Sequence, residues 1–151
     1  MKEIIIPKEK AVFWLDKNGR WHNQHGEFEH KKIIDYFHRS IQRDESGYYL
    51  AQTHEDQIEK VYFPYEDTPL FVFDVIPDKD RIILVLNTKR EILLDPKTLA
   101  VRDDALYVLE PDLRIKFTDR ALMKLSDYLE FKDGLYFIKL NGELNPIPEL
   151  V

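Results

Sequence analysis

Residues 70–87 constrain the fold more than any other part of this sequence, because they predict a β-hairpin that is apolar on both faces. The strands cover residues 70–76 and 81–87, with the turn at residues 77–80. An antiparallel sheet with one face in water alternates between apolar and polar residues, and this hairpin does not. The first face carries Phe71, Phe73, Val75, Ile82, Leu84 and Leu86, and the second carries Leu70, Val72, Ile76, Ile83 and Val85. We therefore expect both faces to be covered, either by the rest of the chain or by a second subunit.

Asp74 interrupts the second face of this hairpin. If residues 76 and 81 pair across the turn, the Asp74 carboxylate lies diagonal to Arg81, within reach of its guanidinium. Removing an ion pair from water costs free energy, and such pairs are more often structural than catalytic. We therefore interpret Asp74–Arg81 as a feature of the fold.

Turn signals divide much of the remaining chain into short strands. Asn18-Gly19 stands between residues 12–15 and 20–22, two runs that contain tryptophan, and is a strong hairpin signal. Further strands are predicted at residues 48–53, 58–63, 91–95, 105–109 and 113–117.

Two amphipathic helices are predicted, and their apolar residues have the same spacing. The first covers residues 30–43, and the second begins at Thr118, whose hydroxyl is suited to cap the first turn. The apolar positions are Ile33, Ile34, Phe37 and Ile41 in the first helix and Ala121, Leu122, Leu125 and Leu129 in the second. Gly47 and Gly134 follow the two helices and are interpreted as left-handed helix caps.

The recurrence of helix, glycine and hairpin after about 87 residues predicts an internal repeat. The predicted fold class is α+β: two related strand–helix–hairpin repeats joined through a central antiparallel β hairpin, with mostly antiparallel sheet. The N-terminal repeat covers residues 1–76 and the C-terminal repeat residues 77–151, either as separate lobes or as one compact structural domain. The alternative is coincidence between two ordinary amphipathic helices that are each followed by a glycine.

Composition and charge restrict the partners of this chain. Its 151 residues include no cysteine, which excludes disulfides and cysteine-based metal sites. The opening residues MKEIIIPKEK surround a short isoleucine run with charges, so we expect no signal peptide, no membrane partner and a cytoplasmic location. The formal net charge of −6 argues against a nucleic-acid partner. Lys31, Lys32, Arg39 and Arg43 share one predicted helix and are interpreted as its solvated face.

Residues 21–30, WHNQHGEFEH, hold three of the five histidines and form the candidate reactive stretch. His22, His25, Glu27 and His30 are enough ligands for zinc. Their positions at a predicted strand end, in a turn and at a helix start do not force them to converge. We interpret the stretch as a polar connection and predict no metal and no cofactor. A metal-dependent or acid–base hydrolase that uses the connection from His22 to His30 is an alternative.

Aromatic side chains are concentrated on two consecutive predicted strands. Tyr48, Tyr49, Tyr62, Phe63 and Tyr65 cannot all face one side of an alternating strand pair. We therefore expect some of them to line a groove or an interface.

Four segments in the first half of the chain occur in a distinctive order. They are the hairpin FWLDKNGRW at residues 13–21, His30, RDESGYYL at residues 43–50, and EDTPLF at residues 66–71. In this order they resemble the bacterial domain-of-unknown-function family 1285. The resemblance implies an α+β fold with repeated motifs, no established enzymatic activity, and a role in signalling or ligand binding.

We predict from these observations a non-enzymatic ligand- or protein-binding module with a regulatory or signalling role. Its partner is expected to be a protein, a peptide or a small molecule, held by aromatic and polar side chains between the repeats. An assembly protein that forms a homodimer through the hairpin at residues 70–85 is a further alternative. The predicted ligand-binding residues are Trp21, His22, His30, Arg39, Tyr49, Tyr65 and Asp67.

Overall fold

The computed structural model describes residues 2–151, and the chain folds into two compact units. The N-terminal unit ends at Pro69, and the C-terminal unit spans Leu70–Val151. Each unit contains one α-helix, and most neighbouring strands are antiparallel, so the predicted α+β class is confirmed. No helix within residues 2–151 is long and apolar enough to cross a membrane. The division into related repeats at residues 1–76 and 77–151 stays a prediction.

The N-terminal unit contains two small sheets, one α-helix and a short 3₁₀ helix at Lys8–Lys10. Its elements are β1 (Lys2–Ile6), β2 (Phe13–Leu15), β3 (Trp21–Asn23), β4 (Gly26–Glu27), α1 (Lys31–Arg39), β5 (Ile41–Asp44), β6 (Gly47–His54) and β7 (Gln57–Tyr62). One sheet has the strand order β1-β7-β6-β5, in which β1 runs parallel to β7 and the other neighbours are antiparallel. The other sheet consists of β2, β3 and β4. The hairpin predicted around Asn18-Gly19 is confirmed as the connection between β2 and β3.

The C-terminal unit is built on one larger sheet. Its elements are β8 (Phe71–Asp78), β9 (Arg81–Leu86), β10 (Glu91–Leu93), β11 (Leu99–Arg102), β12 (Ala105–Glu110), β13 (Leu113–Phe117), α2 (Asp119–Leu125), β14 (Leu129–Lys132), β15 (Leu135–Leu140) and β16 (Glu143–Ile147). The six-stranded sheet has the order β10-β9-β8-β13-β12-β11, with β8 and β13 parallel. Strands β14, β15 and β16 form a separate antiparallel sheet.

Both helices are shorter than their apolar spacing predicts. Helix α1 ends at Arg39, and Ile41 opens strand β5. Helix α2 ends at Leu125, and Leu129 opens strand β14. In each case the new strand pairs with the next strand along the chain, and that ladder of hydrogen bonds outweighs the helical spacing of one apolar residue. The prediction of a single helix over residues 30–43 is therefore wrong.

Gly47 and Gly134 lie in hairpins and do not cap the helices, so that prediction is also wrong. Gly47 closes the β5–β6 hairpin with φ of 122°, and Gly134 lies in the β14–β15 turn with φ of 79°. Glycine adopts positive φ without the steric cost that a Cβ imposes. The same preference that favours glycine after helices favours it in these hairpins.

The central hairpin forms, but its register differs from the prediction. Asp78 pairs with Arg81, which leaves a loop of two residues between the strands. The Asp78 carboxylate accepts hydrogen bonds from the Arg81 guanidinium. Asp74 instead accepts a hydrogen bond from the Lys124 ammonium on α2. The predicted Asp74–Arg81 ion pair is therefore wrong, because the tighter turn moves Arg81 away from Asp74.

A β-bulge between Val72 and Asp74 changes the two faces of this hairpin. Val72 pairs with Leu86 and Val75 pairs with Leu84. Leu84 and Leu86 are two residues apart in β9 and share a face, so Val72 and Val75 also share one. Val72 is fully buried on this core face, and its predicted place on the second face is wrong.

The proposed dimer face is therefore smaller than the sequence predicts. Leu70 and Val72 are buried, whereas Ile76 is 42% exposed. Ile83 and Val85 are half-buried. Dimerisation through this hairpin stays a prediction, and it now depends on Ile76, Ile83 and Val85.

Trp21 is the centre of an aromatic core in the N-terminal unit. Its side chain is 1% exposed and is in edge-on ring contact with Phe13, Phe37 and Phe63, at centroid distances of 5.8, 5.3 and 5.0 Å. The indole Nε1–H donates to Nδ1 of the buried His38, at 3.3 Å. The ring thus joins the first hairpin to helix α1 and to the segment after β7.

We predict that Trp21→Ala lowers the free energy of unfolding by about 3–5 kcal/mol, the usual cost of removing a buried aromatic side chain. Urea denaturation followed by circular dichroism would measure it. Trp14→Ala is the matched control, because Trp14 belongs to the same hairpin but is 38% exposed. Equal losses for the two variants would contradict the role assigned to Trp21.

Candidate functional site

The histidine-rich connection orders the first hairpin through His22. The His22 ring stacks on Trp14, with centroids 5.5 Å apart and planes 8° apart, and its Nε2 lies 2.7 Å from Asp16 Oδ2. His25 is exposed in the β3–β4 turn, and His30 precedes α1 without a side-chain cap hydrogen bond. Within residues 2–151, no three His, Asp or Glu side chains are placed to hold a metal ion.

Asp16 closes this hairpin as an anion. Burial acts to raise the pKa of its carboxyl, but hydrogen bonds from His22 and from the Arg20 and Asn18 amides outweigh that effect. The two amides donate to Oδ1 at 3.0 and 2.8 Å. The pKa of Asp16 is therefore below its ordinary value.

Four of the predicted ligand-binding residues do not meet on one surface. Trp21 and Tyr49 are buried, so their rings pack inside the N-terminal unit. His30 and Arg39 are exposed at the two ends of α1. At 1.5 Å per residue, these ends are roughly 14 Å apart.

Tyr65 and Asp67 follow strand β7 in the segment that leads to the C-terminal unit. Tyr65 is 38% exposed, and its ring is in edge-on contact with Tyr48 at 6.0 Å. Burial raises the pKa of the Tyr65 phenol, Tyr48 adds to the effect and Arg43 opposes it. Asp67 is half-buried. The role of these residues in ligand binding stays a prediction.

The C-terminal unit contains a cleft of about 660 Å³. It lies among the β11–β12 hairpin, helix α2 with the turn that follows it, the β14–β16 sheet and the C-terminal tail. A volume of this size is in the range of about 300–1,000 Å³ that is typical of small-molecule sites. The cleft is therefore large enough to hold a small-molecule ligand.

One wall of the cleft is apolar. Leu122 and Met123 line it from helix α2, and Tyr136 and Ile147 line it from paired strands β15 and β16. The Tyr136 ring packs against Phe131 of β14, with centroids 4.7 Å apart. Met123 is 75% and Tyr136 40% exposed, so this wall is open to solvent.

The rim of the cleft is acidic. Asp103, Asp104, Asp119 and Glu149 line it together with one basic residue, Arg102. All five residues are exposed. Arg102 Nε lies 3.9 Å from Asp103 Oδ2, and Asp103 is 94% exposed at its side chain.

Hairpin geometry places two of these carboxylates. Arg102 pairs with Ala105, so Asp103 and Asp104 form the complete turn of the β11–β12 hairpin. Their φ values are 49° and 67°, and Asp and Asn are among the residues that tolerate this left-handed region best. The tight turn directs both residues to the rim.

The C-terminal tail places Glu149. The Val101 N–H donates to the Pro148 carbonyl at 2.9 Å, and the Leu150 N–H donates to the Val101 carbonyl at 2.7 Å. Residues 148–150 thus lie parallel to the edge strand β11. This pairing holds Glu149 beside the β11–β12 turn.

Sequence reasoning did not predict this cleft. It placed Leu122 only among the apolar positions of the second helix. A signal was present in Met123, an apolar residue outside the predicted apolar positions of the second helix.

Comparison with solved structures supports the resemblance in sequence at the level of the fold. A DUF1285 family protein from Silicibacter pomeroyi DSS-3 has a crystal structure at 2.50 Å resolution that matches with a TM-score of 0.63 and 17% identity, over 97% of this chain and 83% of that one. A duf1285 family protein from Shewanella baltica OS155, solved at 1.40 Å, matches with a TM-score of 0.54 and 18% identity, over 80% of this chain and 94% of that one. No protein-family model and no curated protein sequence matches the chain. At these identities the likeness shows a DUF1285-like fold.

We predict that Asp16→Asn removes an acid-dependent part of the stability. Because folding lowers the pKa of Asp16, its contribution is present above the ordinary carboxyl pKa and is lost as the pH falls through the folded value. The variant keeps an Oδ1 acceptor and should lose about 1 kcal/mol at pH 7.

Urea denaturation between pH 7 and about pH 2.5 would show the gap between wild type and variant closing toward acid. Glu29→Gln, at an exposed carboxylate outside the hairpin turn, is the control and should leave the wild-type curve unchanged. A gap of constant size at every pH would contradict the assignment to the Asp16 charge.

Proposed function

We propose that this chain, which has a DUF1285-like fold, is a non-enzymatic ligand-binding module whose site is the cleft of the C-terminal unit. The observation that carries the proposal is the combination of an open apolar wall with a charged rim around one cavity. Small-molecule sites typically combine mostly apolar walls with a few polar groups that fix orientation.

The apolar wall supports the proposal because apolar surface in contact with water is unfavourable in free energy. Met123 and Tyr136 are large side chains of this wall that are in contact with water. Burial of apolar surface is favourable by about 25 cal/mol per Å², so a ligand that covers this wall gains affinity from it. A ligand with an apolar body therefore suits the cleft.

We also propose that occupancy of the cleft serves a regulatory or signalling role, as the family resemblance implies. The sequence is also compatible with a protein or peptide partner, and such a partner would bind the same surface in place of a small molecule.

We predict that the cleft binds Nile red, a neutral dye whose fluorescence rises in apolar surroundings. Ser126→Trp places a bulky ring in the cleft lining and should weaken dye binding by about tenfold, which is equivalent to about 1.4 kcal/mol. Fluorescence titration would measure both affinities.

Asp127→Trp is the matched control, because it adds the same ring at the neighbouring exposed residue, which does not line the cleft. It should bind the dye as wild type does. Thermal unfolding of both variants would show that each is folded. Equal dye affinity in all three proteins, or no binding to wild type, would contradict the proposal.

A further inference from the structure

We propose that the ligand of this cleft is a small organic cation, with an apolar body that ends in an ammonium or guanidinium group. This inference rests on the proposed function and adds the chemical class of the ligand. Such a ligand is favoured by the charges of the rim, by their lack of partners and by the aromatic part of the wall.

Carboxylates from separate parts of the chain converge on the rim. Asp104 comes from the β11–β12 turn, Asp119 from the first position of α2, and Glu149 from the tail that pairs with β11. Like charges that face one cavity repel each other, and a cation between them relieves that repulsion. The rim is therefore complementary to positive charge.

These carboxylates are available to a ligand. Within residues 2–151, Asp104, Asp119 and Glu149 have no Lys, Arg or His nitrogen within ion-pair distance. The rim cation, Arg102, lies within ion-pair distance of Asp103, at 3.9 Å. An anionic ligand would meet three uncompensated carboxylates and would have to compete with Asp103 for Arg102.

The aromatic part of the wall favours the same charge. Tyr136 lines the cleft, is 40% exposed and is braced by Phe131. The face of a tyrosine ring attracts ammonium and guanidinium groups as well as apolar carbon. Leu122 and Met123 continue the wall and suit an apolar body. One end of such a ligand would thus lie at the carboxylates and the rest on the wall.

The size of the cavity favours a small molecule over a macromolecule. About 660 Å³ encloses one compact ligand. Part of the edge of β11 beside the cleft is already paired with residues 148–150. That pairing occupies the backbone groups of Val101 that an added peptide strand would need.

The test compares octylammonium, 1-octanol and octanoate, which share one alkyl chain, as competitors that displace Nile red from the wild-type chain. Octylammonium should bind about tenfold more tightly than 1-octanol, and octanoate should bind most weakly. Salt screens surface charges, so the affinity of octylammonium relative to 1-octanol should fall as the ionic strength rises. The affinity of 1-octanol itself should not change.

Asp104→Asn should weaken octylammonium binding about threefold and leave 1-octanol binding unchanged. Asparagine suits the left-handed backbone at this turn, so the hairpin should be retained. Asp133→Asn is the matched control, because Asp133 also has positive φ in a hairpin turn but does not line the cleft. The combined variant Asp104→Asn, Asp119→Asn, Glu149→Gln should abolish the preference for the cation.

The outcomes separate the inference from the proposed function. Equal binding of the three alkyl ligands, with no effect of the neutralised rim, would overturn the cationic ligand and leave the cleft as a binding site. Failure of Nile red and of every alkyl ligand to bind would overturn the proposed function itself. Binding of a basic amphipathic peptide without any binding of octylammonium would contradict the inference of a small-molecule ligand and would indicate a peptide ligand.

Discussion

Strand β8 is the element on which the C-terminal unit and its cleft depend. It lies inside the six-stranded sheet, antiparallel to β9 and parallel to β13. The Val72 carbonyl accepts hydrogen bonds from both the N–H and the hydroxyl of Thr118, at 3.1 and 3.2 Å. The same hydroxyl accepts from the Ala121 N–H in the first turn of α2. One backbone carbonyl thus fixes both the end of the parallel ladder and the start of the helix. Since Asp119 follows Thr118 directly, this contact also positions a carboxylate at the rim.

The sequence predicted local structure well where the deciding interactions are local. The Asn18-Gly19 hairpin and the Thr118 cap each depend on residues a few positions apart, and both form. The ends of the helices depend instead on strand pairing, so periodicity extended α1 to include Ile41. The bulge in β8 is another non-local effect, and it moved Val72 to the core face against simple alternation. The cleft could not be predicted from the sequence for the same reason. Its lining residues come from several segments, and the first and last of them, Val101 and Glu149, are 48 residues apart in the chain.

The two parts of the cleft have different energetic roles. Exposed carboxylates interact weakly with a cation in water, and a single surface ion pair contributes between 0 and about 1 kcal/mol. In the proposed function, the rim therefore selects the sign of the ligand charge more than it supplies affinity. The wall of Leu122, Met123 and Tyr136 would supply the non-directional part of the binding free energy through the burial of apolar surface. A ligand needs both features, because an apolar molecule without charge gains nothing from the rim, and a hydrophilic cation gains little from the wall.

The tail shows that the site and the integrity of the sheet are linked in this chain. An edge strand presents unpaired N–H and C=O groups that can recruit another chain. At β11, the backbone groups of Val101 are paired with Pro148 and Leu150, and the intervening Glu149 reaches the rim of the cleft. The same two hydrogen bonds thus cover part of an edge and position the Glu149 carboxylate at the rim of the cleft. Because the solved neighbours share the fold at 17–18% identity, the fold alone does not specify these side chains. The charges around the cleft are therefore set by the residues that the turn, helix start and tail of this sequence present to it.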